Sequence, residues 1–261
     1  MPAIDPARLE KQIDEVVAFI LEPGEVAHRC LDLLDYYADR TRRVRATALD
    51  VSPSLGVPRP VLRSLADRLR SAVAQLPDGG LALAEQLWRG QFREIMILAA
   101  VVVGGRPGEP AARWLEAAAS QCSDSEVLAH LASDGTEAWR RSDPQTFLTH
   151  AEVWLRSGDQ RLVTFALLAF QAGVAEDPGL SLLAVLDILD GRLSHFRGPS
   201  RRAFVDLVRA LVDRSPQEVA RFLADEVRQG QGGPAVRSIL KACLEAFPAH
   251  EREGLEKILS T

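Results

Sequence analysis

The side chains best suited to chemistry are arginines, gathered in two stretches. Between positions 40 and 70, Arg40, Arg42, Arg43, Arg45, Arg59, Arg63, Arg68 and Arg70 are accompanied by only two acids, Asp50 and Asp67. Between positions 192 and 214, Arg192, Arg197, Arg201, Arg202, Arg209 and Arg214 stand with Asp206 and Asp213, and Arg140 and Arg141 add a smaller pair. A guanidinium is always charged, and its planar fork matches two phosphate oxygens. Such clusters point to a polyanion, above all the backbone of DNA. Part of the second stretch has a plainer reading. Arg202 and Asp206, like Arg209 and Asp213, are four residues apart, the spacing of ion pairs along an exposed helix.

Other chemistries find little support. The sequence contains no phosphate-binding glycine loop, no GxSxG elbow and no HExxH. His28, His130, His150, His195 and His250 are scattered, as surface or satisfied core histidines are. Cys30, Cys122 and Cys243 are far apart and odd in number, so they read as buried thiols of a reducing compartment. No metal and no cofactor is expected. The formal net charge is −5, so any basic face must be balanced by acidic surface elsewhere. The longest apolar run, Ile95 to Val103, is too short to span a bilayer, and the first residues carry no signal-peptide core. A cytoplasmic protein without membrane contact is expected.

The elements that position these side chains are helices. Asp5-Pro6, Ser52-Pro53, Asp143-Pro144, Asp177-Pro178 and Ser215-Pro216 each set a capping side chain before a proline, the signature of a helix start. Gly104-Gly105, Gly158, Gly173 and Gly230 to Gly233 mark ends. Over Pro199 to Arg214, Phe204, Leu207, Val208, Leu211 and Val212 fall on one helical face, as do Val61, Leu62, Leu65, Leu69, Val73 and Leu76 over Pro58 to Leu76. The segments 95–103, 162–174 and 180–193 are apolar nearly all round and predict inner helices covered on both sides. No alternating strand is found. One-sided helices interleaved with buried ones predict an all-α fold. Its form would be a right-handed α–α superhelix of HEAT-like hairpins of about 40 residues each, one domain over 1–261.

The stretch Gly56-Val57-Pro58-Arg59-Pro60-Val61-Leu62-Arg63 resembles the Gly-(Ile/Val)-x-x-Pro-x-x-Arg segment of the AlkD-type DNA alkylation repair glycosylases. Leu87 to Ala99 (LWRGQFREIMILA) is similar to that family's leucine-tryptophan, charged, then alanine-rich helix, and Trp154 to Gln171 is similar to its central hairpin. The resemblance covers most of the chain after about residue 35. It implies a HEAT-like array holding damaged duplex DNA in a concave cleft, where tryptophans stack on the alkylated base and a carboxylate promotes its loss. By ungapped spacing from Trp154, the aromatic position falls on Ser125, the carboxylate on Ala129, the hairpin arginine on Thr164 and a later tryptophan near Asp206. The resemblance therefore implies a degenerate excision site, with Asp124 and Glu126 as the nearby candidate catalytic carboxylates. The expected function is DNA-backbone binding by Arg40, Arg42, Arg43, Arg45, Arg59 and Arg63, with weaker contributions from Arg161, Arg202 and Arg209. The alternatives are a scaffold whose groove receives a partner peptide or helix, and an active alkylpurine glycosylase using Asp124 or Glu126.

Overall fold

The structure is a computed structural model and describes residues 4–39, 41, 52–76, 80–228 and 233–260. Arg40, Arg42, Arg43 and Arg45 lie outside the described residues. Every regular element among those described is helical, and the chain divides into two compact units, Met1–Ser142 and Asp143–Thr261. The first unit holds α1 (Pro6–Val17), α2 (Pro23–Tyr37), α3 (Arg59–Val73), α4 (Leu81–Trp88), α5 (Arg93–Val103), α6 (Glu109–Gln121), α7 (Ser125–Ser133) and α8 (Glu137–Ser142). The second holds α9 (Pro144–Arg156), α10 (Gln160–Glu176), α11 (Leu182–Leu189), α12 (Pro199–Arg214), α13 (Pro216–Arg228), α14 (Pro234–Cys243) and α15 (Ala249–Ser260). Among the described residues no helix is long and apolar enough to cross a membrane.

Three of the five capped prolines open helices. Asp5 accepts from the N–H groups of Ala7 and Arg8 at 3.1 and 3.4 Å, Asp143 accepts from Thr146 N–H at 3.1 Å, and α13 begins at Pro216. Asp177-Pro178 instead closes a helix. Asp177 donates its N–H to Gly173 at 2.9 Å, so α10 runs past Gly173, and Ser181 caps α11 by accepting from Ala184 N–H at 3.3 Å. A proline fits just beyond a helix end as well as at its first turn. The inner helix expected over 180–193 is also shorter, since Gly191 turns the chain with φ +70°. Ser52-Pro53 opens no helix either, because its backbone is bound by other elements.

In the first unit α1 packs on α2 and α3, α2 on α4, α3 on α5, α4 on α5, and α5 on α7. In the second, α10 lies between α9 and α12, α12 meets α13 and α14, and α13 meets α15. Of the all-round apolar segments, 95–103 and 162–174 supply inner helices, whereas α11, within 180–193, is covered on one side only and leaves Leu183 59% exposed. In α5, Ile95, Ile97, Leu98, Val101, Val102 and Val103 are all buried, each stabilising the fold by up to about 1.5–3 kcal/mol. Gly104 ends α5 against the backbone of Asp134, where a Cβ would stand 1.7 Å from the carbonyl oxygen. That close approach fixes the end of α7 beside α5.

Candidate nucleic-acid interface

The segment from Ser52 to Pro58, which leads into α3, is held by side chains of α5 and α7. Glu94, buried in the first turn of α5, accepts from the Ser54 hydroxyl at 2.7 Å and from the N–H groups of Leu55, Gly56 and Val57 at 3.0, 2.9 and 3.4 Å. Gly56 has φ +74°, a left-handed conformation that costs glycine little and lets successive amides converge on one anion. Arg93 donates its N–H to the Pro53 carbonyl at 2.9 Å. Asp124 caps α7 by accepting from Glu126 N–H and Val127 N–H at 3.0 and 3.2 Å. Its second oxygen accepts from Ser52 N–H at 2.9 Å and from Arg93 Nε and Nη2 at 3.1 and 3.0 Å. Burial pushes the Asp124 carboxyl up, but the Ser52 and Val127 amides and then Arg93 outweigh it and hold the group below the usual carboxylate range.

Thus anchored, α3 forms one wall of an open cleft of about 670 Å³. Arg59, Arg63 and Arg70 line this wall, Ile97 and Val101 of α5 form an apolar floor, and Glu126, His130 and Asp134 line the α7 side. Each set recurs at four or seven residues, which places it on one helical face. Arg59 and Arg63 are exposed and have no carboxylate partner among the described residues. Arg70 bridges Asp134 and Glu137, at 3.1 Å to each. His130 Nδ1 lies 2.7 Å from Asp134 Oδ2. Burial raises the pKa of Asp134, but His130 and Arg70 pull it below its ordinary value. Glu126 is half exposed and pairs with Arg93 Nη1 at 2.9 Å. No Trp, Tyr or Phe lines the cleft among the described residues.

The second unit has a smaller depression of about 470 Å³, lined by Arg201, Arg202, Asp206 and Arg209 among others. Arg209 Nη1 is 2.5 Å from Asp206 Oδ1, replacing the expected pairings of Arg202 with Asp206 and Arg209 with Asp213. Three residues bring the guanidinium to that carboxylate as well as four do. Arg201 donates to the carbonyl and hydroxyl of Ser238, both at 3.1 Å.

A family model for the DNA alkylation repair enzyme matches residues 34–240, from within α2 to within α14. The chain belongs to the DNA alkylation repair enzyme family. No curated protein and no solved structure matches it.

Within this family member, the candidate residues divide by environment. Arg59 and Arg63 stand together in the cleft with Glu126, while Asp124 is buried and spends both oxygens on protein donors. Arg161, in the first turn of α10, is exposed. Arg202 and Arg209 share the depression of the second unit. Arg140 is buried, and its Nη1 donates to the carbonyls of Ala132 and Ser133 at 3.2 and 2.6 Å, closing the end of α7. Arg68 pairs with Asp14 at 2.7 Å. The cleft face of α7 carries Glu126 and His130, one residue beyond the positions Ser125 and Ala129 that ungapped spacing points to. Sequence reasoning missed Arg93, Glu94 and the His130–Asp134 pair. The i, i+4, i+8 spacing of Glu126, His130 and Asp134 is the signal that could have found the last.

Proposed function

We propose that this repair-family protein binds duplex DNA by its phosphate backbone along the α3 wall, with Arg59 and Arg63 as the principal contacts and Arg161, Arg202 and Arg209 as lesser ones. The observation that carries this reading is the pair of exposed guanidiniums of Arg59 and Arg63, one turn apart on a cleft wall and free of carboxylate partners among the described residues. One helical turn rises about 5.4 Å, a spacing that suits neighbouring phosphates of one strand. The packing of successive helices on their neighbours and next-neighbours within each unit supports reading both as HEAT-like hairpins.

Repair by transfer of an alkyl group to a thiolate is disfavoured. All three cysteines are buried, and burial pushes the thiols of Cys30 and Cys243 up to about 12. Among the polar side chains of the cleft, Asp67 and Glu126 are exposed carboxylates. Binding of a short labelled duplex, followed by fluorescence anisotropy, tests the reading. Affinity is expected to fall steeply between about 50 and 200 mM salt. Undetectable binding at the lower salt overturns it.

A further inference from the structure

We propose that His130 is a proton-dependent phosphate contact of the α3–α7 cleft. Its imidazolium donates to the DNA backbone from the α7 side, so that duplex binding takes up a proton. The inference rests on the DNA-binding reading and deepens it by naming how pH regulates that cleft.

The two sides of the cleft differ in what they can offer an anion. The α3 wall carries the guanidiniums of Arg59 and Arg63, whereas Glu126, His130 and Asp134 line the α7 side. An ionised carboxylate only accepts hydrogen bonds, so the two acids have nothing to give a phosphate oxygen. Both are also engaged, Glu126 with Arg93 Nη1 at 2.9 Å and Asp134 Oδ1 with Arg70 Nη2 at 3.1 Å. His130 is therefore the one α7 group lining the cleft that can donate to a phosphate, and it does so only with both ring nitrogens protonated.

The geometry assigns the two nitrogens different tasks. His130 Nδ1 lies 2.7 Å from Asp134 Oδ2. Facing an oxygen that only accepts, Nδ1 bears hydrogen in the neutral ring and in the imidazolium alike, so the contact fits both states. Nε2 has no partner among the described residues. In the neutral ring it presents a lone pair, which repels a phosphate oxygen. In the imidazolium it presents an N–H, which binds one. The ring is 38% exposed, so the proton comes directly from solvent.

The charged groups facing His130 come from its own helix and from α3. Glu126 and Asp134 share its helix, and α3 supplies Arg59, Arg63, Asp67 and Arg70, while α5 gives the lining only the apolar Ile97 and Val101. Behind them Arg93, at the start of α5, holds Glu126, and Glu137 of α8 holds Arg70 at 3.1 Å. The remaining neighbour of α7, α6, lines no part of the cleft. A phosphodiester seated against Nε2 adds a negative charge to this set and favours the imidazolium over the neutral ring. Protonation and binding therefore promote each other. Affinity rises as pH falls through the range in which histidine changes charge, about pH 8 to 5.

The test follows a short labelled duplex by fluorescence anisotropy with the full chain, at fixed low salt, between about pH 5.5 and 8.5. Wild type is expected to gain at least about fivefold in affinity from the upper to the lower limit. Titration calorimetry in two buffers of different ionisation enthalpy is expected to show proton uptake on binding. H130Q keeps a polar side chain without a charge change, and is expected to bind with a nearly flat profile and no such uptake. A merely structural role for His130 would instead weaken binding equally at every pH. R59A is expected to weaken binding throughout and keep the slope. Glu226 of α13, whose carboxyl burial pushes up to about 7, titrates in the same window outside the cleft, and E226Q is expected to keep the slope. H130N serves as a second variant should H130Q lose its cooperative thermal melt. Wild-type binding that is flat in pH overturns the inference and leaves the DNA-binding reading standing. A slope that survives undiminished in a folded His130 variant assigns the proton to another group, such as Glu126 or Asp67, and overturns it as well. Undetectable binding by wild type at every pH defeats the DNA-binding reading, and this inference with it.

Discussion

Glu226 in α13 shows what burial does to a carboxyl group that lacks a cation. It is 2% exposed and accepts from Gly191 N–H at 2.5 Å. Burial raises its pKa from 4.5 to about 7, opposed by the Gly191 amide and reinforced by the neighbouring Asp190 carboxylate. Because the folded chain holds this proton to higher pH than the unfolded chain does, its stabilising effect is complete below 4.5 and is lost as pH rises to about 7. In urea titrations, E226Q is expected to gain stability relative to wild type as pH climbs through that window, and parallel curves would refute the assignment. The lowered carboxyls of Asp124 and Asp134 act in the other direction, losing their stabilisation as pH falls through their depressed values. At this scale the sequence was a partial guide. Arg59 and Arg63 were named from the sequence as backbone contacts, and the structure places both exposed on one cleft wall. Arg140 and His130 were not, because burial and the identity of a partner are set by packing.

Among the elements, the join between the segment preceding α3 and the starts of α5 and α7 matters most to the cleft. Glu94 gathers three backbone amides and a hydroxyl, and a charged acceptor of this kind contributes about 1.5–3 kcal/mol per bond. E94Q turns an acceptor-only group into one that presents an amide N–H to those donors. A loss of about 3 kcal/mol is expected, together with hydrogen exchange at Leu55, Gly56 and Val57 faster by about two orders of magnitude. Unchanged protection at those amides would rule the anchor out. The same join explains why Ser52-Pro53 misled the helix reading. Local sequence offers a cap and a proline, but Asp124 and Arg93, distant in the chain, take the Ser52 amide and the Pro53 carbonyl. Periodicity read α3, α5, α10 and α12 well because each has a face or core whose apolar repeat belongs to the helix alone. Asp177-Pro178 was ambiguous for a related reason, since proline suits the residue after a helix as well as the first one in it.

For the molecule as a whole, the charge balance sharpens what the cleft must do. With a formal charge of −5, the chain has no general attraction for a polyanion, so the proposed duplex binding rests on local surface. Replacing Arg59 and Arg63 together with alanine makes the chain still more acidic. The double variant is expected to lose at least tenfold in duplex affinity at low salt, and its plot of log affinity against log salt to flatten by about two units of slope. An unaltered slope would place the contacts elsewhere. The anchoring of α3 has a consequence for the time course of such binding. A wall fixed in the free protein has no ordering step to complete after encounter, so association proceeds as a rigid-body collision at a rate set by charge and diffusion. Removing a wall arginine then lengthens no folding step and shortens the lifetime of the complex. Loosening Glu94 does the reverse, slowing capture while leaving the contacts of the captured duplex intact.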